Sequence, residues 1–166
     1  MTDCALLVVF PALMIAAAVS DLFTMTIPNR IAVLLTAAFF AFALVLGMPA
    51  ATVGAHALAA LATLVVTFGL FAFGWFGGGD AKLAAATALW MGWPNLADYL
   101  LLSTIAGGAL TLVLLSLRKW PLPKPLLSQR WIMRLHDQAT GVPYGIALAG
   151  AGLALFPDTQ IWAAAA

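Results

Sequence analysis

Residues 76–82 run Phe76-Gly77-Gly78-Gly79-Asp80-Ala81-Lys82: three consecutive glycines, then an acid and a base, set between two strongly apolar segments. Glycine lets a chain turn tightly and lets other groups come close to the backbone. A carboxylate next to hydrocarbon is costly to keep, so an ionisable residue at such a place points first to function. Working outward, the flanking segments belong to a chain that is 64% hydrophobic and 8% charged, with no Glu and a mean hydropathy of +1.07. Soluble domains carry about 25% charged residues. The expected fold class is therefore all-α, a polytopic membrane protein. A net charge of +1 without a basic stripe of interleaved aromatics gives no basis for nucleic-acid binding. Cys4 is the one cysteine, which excludes an intramolecular disulfide and a cysteine-based zinc cluster.

A helix needs about 20 apolar residues to cross the hydrocarbon core. Hydropathy and breaker residues predict about six transmembrane helices, over residues 4–20, 31–47, 52–76, 81–93, 99–117 and 141–158. Pro28 separates the first two, because it donates no backbone hydrogen bond and disfavours helical geometry at Ile27. Pro94 stops the fourth piece early, at about 20 Å of a core roughly 30 Å thick. The expectation is that the glycine run dips inward and places Asp80 in a protein-lined recess, where non-helical backbone is tolerated. Met1-Thr2-Asp3 has no positive n-region, so the first apolar run is expected to be retained as a span. No repeat or linker divides residues 1–166, which are expected to form a single transmembrane domain.

Five of the seven basic residues, Arg118, Lys119, Lys124, Arg130 and Arg134, fall between spans five and six. Excess Lys and Arg in short loops marks the cytoplasmic side. Counting back, the loops with Asp21 and Asp80 share that side, and they carry Arg30 and Lys82. The opposite links, 47–51 and 94–98, hold no Lys or Arg. Residues 126–135 have the pattern of a basic amphipathic surface helix, or of an ordinary positive-inside loop. Trp90, Trp93, Trp120, Trp131 and Trp162 fit interfacial belts. His56 is expected near the external interface.

Peptide hydrolysis by paired carboxylates needs one ionised group to activate water and one protonated group to polarise the carbonyl. Two close carboxylates do not both ionise easily and share a proton. Asp21 and Asp80 combine membrane position with a shared side, which makes them the candidate pair. The bland alternative is that each only ends or caps a helix. Asp98 lies on the opposite side as a cap, Asp137 sits in a solvated charged loop, and Asp3 and Asp158 are external. Lys82 is two positions from Asp80, so the two do not share a helix face. Two rival functions fit the same residues: a small ion- or proton-coupled transporter, and a non-catalytic pilus or secretion assembly subunit. Few polar residues inside spans two, three and five speak against a continuous ion path.

Three islands, in order, resemble one family. Gly77-Gly78-Gly79-Asp80 matches the GxGD signature of membrane aspartyl proteases. Ser20-Asp21-Leu22 followed by Ile27-Pro28-Asn29-Arg30 resembles the first-aspartate region of type IV prepilin peptidases, and Val142-Pro143-Tyr144-Gly145-Ile146-Ala147 their last helix start. The chain is most similar to the short peptidases of Flp (Tad-type) pilus systems. That resemblance implies an aspartic-type endopeptidase of the bacterial inner membrane, with Asp21 and Asp80 as the catalytic pair. The implied substrate is a prepilin, with its basic leader and apolar N-terminal helix, cut at the cytoplasmic face. Gly77, Gly78, Gly79, Lys82, Pro28, Asn29, Pro143, Tyr144 and Gly145 are implied to bind substrate or shape the site. Longer members carry paired cysteines in a domain associated with N-methyltransferase activity; with Cys4 alone, methylation is not expected here. Aspartyl chemistry needs no metal or other cofactor.

Overall fold

The structure, a computed structural model, describes residues 2–165, with side chains from residue 8 to 164. Expectations for the side chains of Asp3 and Cys4 fall outside that range. The helices are α1 (Thr2–Thr24), α2 (Asn29–Val45), α3 (Ala50–Ala72), α4 (Gly78–Leu117), α5 (Arg130–His136), α6 (Tyr144–Leu155) and α7 (Gln160–Ala165), with 3-10 turns at Lys124–Ser128 and Phe156–Asp158. There is no strand among the described residues. The fold is that of an all-helical membrane protein. α3 and α4 are each long and apolar enough to cross a bilayer, and α2 and the described part of α1 are shorter apolar helices.

α4 is two arms of opposite direction. Gly92 holds φ 62°, ψ 179°, outside helical geometry and in a region open essentially to glycine alone. Asp80 on the first arm and Thr104 on the second line one cavity. A straight helix would hold them about 36 Å apart. The reversal therefore lies at Gly92, just ahead of Pro94, and the arms correspond to the expected fourth and fifth spans. The first arm is short because it is the centre of the bundle: residues 83–92 are all buried, whichever way they face. Five alanines, Ala81, Ala84, Ala85, Ala86 and Ala88, let neighbouring helices come close on every side.

At the Gly92 end an aromatic cluster closes the core. Trp90 is fully buried, lies 5.0–6.0 Å from the rings of Phe10, Phe39, Phe42 and Phe156, and donates to the Leu35 carbonyl at 3.0 Å. This corrects the expectation of an interfacial Trp90: its N–H finds a backbone partner, so the indole tolerates burial. Trp93 and Trp120 are exposed. His56 is likewise buried, at this same end of the bundle. Its Nδ1 donates to the Leu89 carbonyl at 2.7 Å, and its Nε2 meets the Gln160 side-chain amide at 3.2 Å. The Leu89 carbonyl lies in the last turn before the non-helical Gly92, where carbonyls lack intrahelical donors. His56 supplies the missing donor at the break.

The basic loop folds back on the bundle. Extended backbone at Gln129 (φ −92°, ψ 106°) splits the expected 126–135 helix into a 3-10 turn and α5. Arg118 is no free loop cation. It is buried and donates to the carbonyls of Leu135 at 2.8 Å and Gly141 at 2.9 Å, pinning both ends of the loop's last third. Arg134 donates to the Phe23 carbonyl at 3.0 Å, and Trp131 packs edge-on against Phe23. The loop therefore docks on the end of α1 that carries Asp21.

Candidate functional site

α1 buries Phe10, Met14, Ala17 and Asp21 along one stripe at helical spacing. The stripe that packs the helix thus also turns a carboxylate inward in the last turn. Met25 then takes left-handed backbone (φ 55°), with its N–H on the Asp21 carbonyl at 2.8 Å, and ends α1. Ser20 Oγ donates to the Thr26 carbonyl at 2.9 Å, which fixes the turn that leads to Pro28 at the N-cap of α2.

Asp21 is 5% exposed and accepts the Gly145 N–H at 2.7 Å. That amide belongs to the first turn of α6, where backbone N–H groups lack helical partners and face outward. A Cβ on Gly145 would collide with the Asp21 carboxylate and the Ile27 side chain. The close approach is what makes glycine necessary there. Pro143, buried at the N-cap of α6, fixes the approach to this turn.

Asp80 is the third residue of α4, half-buried, with its carboxylate turned back over the N-cap Gly77. Asp80 makes no side-chain hydrogen bond among the described residues. Asp21 and Asp80 open on one cavity of about 710 Å³, together with Met25, Leu70, Gly77, Thr104 and Tyr144. Tyr144 spans it: the hydroxyl donates to the Ser103 carbonyl at 3.2 Å, and the ring meets Phe76 edge-on at 5.5 Å. A side chain at Gly107 would occupy the space of that ring. The second arm runs on from Thr104 to Leu117, about 20 Å of helix past the cavity. Asp98 is exposed at the other end of the hairpin.

The residues singled out from sequence divide. Asp21, Asp80, Gly77 and Tyr144 line the cavity, Gly145 and Pro143 hold Asp21 from behind, and Gly78 and Gly79 pack against Phe71 and Ile27. What approaches the glycine run closely is thus Phe71 of α3 and Ile27 of the α1–α2 turn, both of the same chain. Asn29 and Lys82 bond each other at 2.8 Å and line a different cavity. Thr104, Leu70 and Met25 were not legible as site residues, since nothing in their local sequence distinguishes them from other span residues. No three His, Cys, Asp or Glu side chains converge, among the described residues, as a metal site requires.

A family model described as the type IV leader peptidase family matches residues 8–112, well over half of the chain and including both aspartates. The chain belongs to the type IV leader peptidase family. It is also similar to a prepilin leader peptidase/N-methyltransferase of Pectobacterium carotovorum subsp. carotovorum, 35% identical over 77 residues. That stretch covers 46% of this chain and 25% of the relative, so the match spans about a quarter of the relative's length. No solved structure matches the chain.

Proposed function

We propose that this member of the type IV leader peptidase family is a membrane-embedded aspartyl endopeptidase, acting on type IV prepilins of the Flp type. It removes the basic leader at the cytoplasmic face of the bacterial inner membrane. The observation that carries this reading is the convergence of Asp21 and Asp80, from separate helices, on one cavity. In the proposed reaction the pair shares one proton. One carboxylate takes a proton from water as it attacks the scissile carbonyl, and the other donates to the carbonyl oxygen. The tetrahedral intermediate then collapses, the C–N bond breaking as the first carboxyl gives its proton to the leaving amine and the second takes one back. The amide of Gly145 fixes Asp21, while Asp80 is left to adjust to substrate. The basic loop docked beside Asp21 supports the cytoplasmic orientation, and the apolar rim at Leu70 and Met25 suits a peptide that continues into an apolar helix.

The test is cleavage of an Flp-type prepilin by the full chain reconstituted in vesicles. Leader removal is expected to vanish in Asp21→Ala and in Asp80→Ala and to persist in Asp98→Ala. Near-normal processing by either of the first two would sink the proposal. Cysteine labelling of positions 24 and 124 tests the orientation, and opposite sides for these two would overturn it.

A further inference from the structure

The first turn of α4 serves two cavities. Asp80 faces the one just described, and Lys82 faces another of about 750 Å³, between α2, α3 and the first arm of α4. α2 and α3 each pack along α4 but not along one another. They meet at the Gly92 end, where the rings of Phe39 and His56 lie 5.2 Å apart. Between them lies a groove that widens toward Asn29 and Lys82, with Ala57, Ala60, Ala85 and Ala86 among its lining residues.

We propose that this groove binds an anionic phospholipid, its phosphate on Lys82 and an acyl chain along the alanines toward Leu89. Three observations choose that occupant. The polar lining groups are Asn29, Thr36 and Lys82, and Thr36 is already spent on the Ala32 carbonyl at 2.9 Å. Free polarity is thus confined to one end, which matches an amphiphile with one head and an apolar tail. Lys82 Nζ gives one hydrogen bond to Asn29 Oδ1, which leaves two N–H donors and no carboxylate partner among the described residues. The same rim carries the N-terminus of α2, a 17-residue helix whose dipole also favours an anion. Inside a bilayer no water is at hand to fill an apolar groove, so hydrocarbon is its natural filling. A basic leader peptide would meet like charge at Lys82, so the head end does not fit the substrate proposed above.

The experiment is native mass spectrometry of the delipidated full chain, titrated with phosphatidylglycerol or with phosphatidylcholine of the same acyl chains. One phosphatidylglycerol is expected to bind, about tenfold tighter than phosphatidylcholine, as a charge-assisted hydrogen bond implies. Lys82→Gln, at an exposed position, should bring the two lipids to parity without lowering the melting temperature. Ala60→Phe should fill the groove and weaken both lipids. Equal affinities in the unaltered chain would overturn the proposal, as would a phosphatidylglycerol preference that survives Lys82→Gln. A prepilin helix that crosslinks to position 57 and displaces the bound lipid would overturn it too, in favour of a substrate channel. None of these readouts requires peptide cleavage, so this result and that of the cleavage assay stand apart.

Discussion

The two ends of the first arm of α4 use glycine for opposite purposes. At Gly92 the chain reverses inside a packed aromatic core, and the carbonyl of Leu89 finds its donor in His56. At Gly77 to Gly79 the helix begins beside a polar cavity, and its carboxylate has no hydrogen-bond partner among the described residues. One end is closed and satisfied; the other is open and left unfinished. The buried Leu89 carbonyl is partnered, as buried polar groups ordinarily are, whereas the half-buried Asp80 carboxylate faces an open cavity. The difference separates a packed end of the bundle from an end that opens on a cavity.

This contrast can be broken most sharply at the carboxylates. Asp80→Asn or Asp21→Asn keeps size and removes the titratable group, so prepilin cleavage should fall by about 10²–10⁴-fold or more while thermal stability in detergent holds. Gly92→Ala should act the other way. Its φ of 62° with ψ near 180° is costly for alanine, and the added Cβ would strike the His56 ring, for a loss of about 3 kcal/mol in an unfolding titration. Gly145→Ala sharpens the site end: the methyl displaces Asp21, and cleavage should fall about 10²-fold with insertion unchanged. His56→Ala removes the donor at the break and should cost about 1–3 kcal/mol, with cleavage retained at temperatures where the fold survives. Asp98→Asn, exposed at the closed end, should change neither readout. A loss of cleavage there would mean that the two ends are not separate in function.

Much of the bundle was legible because a bilayer permits so few solutions. Hydropathy alone marked the six apolar segments, and Pro28 marked a break, but the break expected at Pro94 lies at Gly92, and residues 94–98, expected as a link, are helical. The short length of residues 81–93 also announced a special helix. Its cause was not legible: burial on every side and a reversal at Gly92 depend on contacts with α1, α2, α3 and α6. The burial of Trp90 and of His56 was not legible for the same reason. Each carries a polar atom that suits an interface unless a backbone carbonyl elsewhere in the chain accepts its proton, as Leu35 and Leu89 do.

The sequence by itself determined that the chain is an all-helical membrane protein, and it singled out Asp21, Asp80 and the glycine run, because charge in hydrocarbon is costly enough to stand out alone. Only the tertiary structure decided that both carboxylates open on one cavity. It alone set the Gly145 amide against Asp21, and turned Lys82 to a separate groove two residues from Asp80. Those outcomes depend on how helices distant in sequence cross and which face each presents, a choice made by packing over the whole bundle rather than by any local pattern.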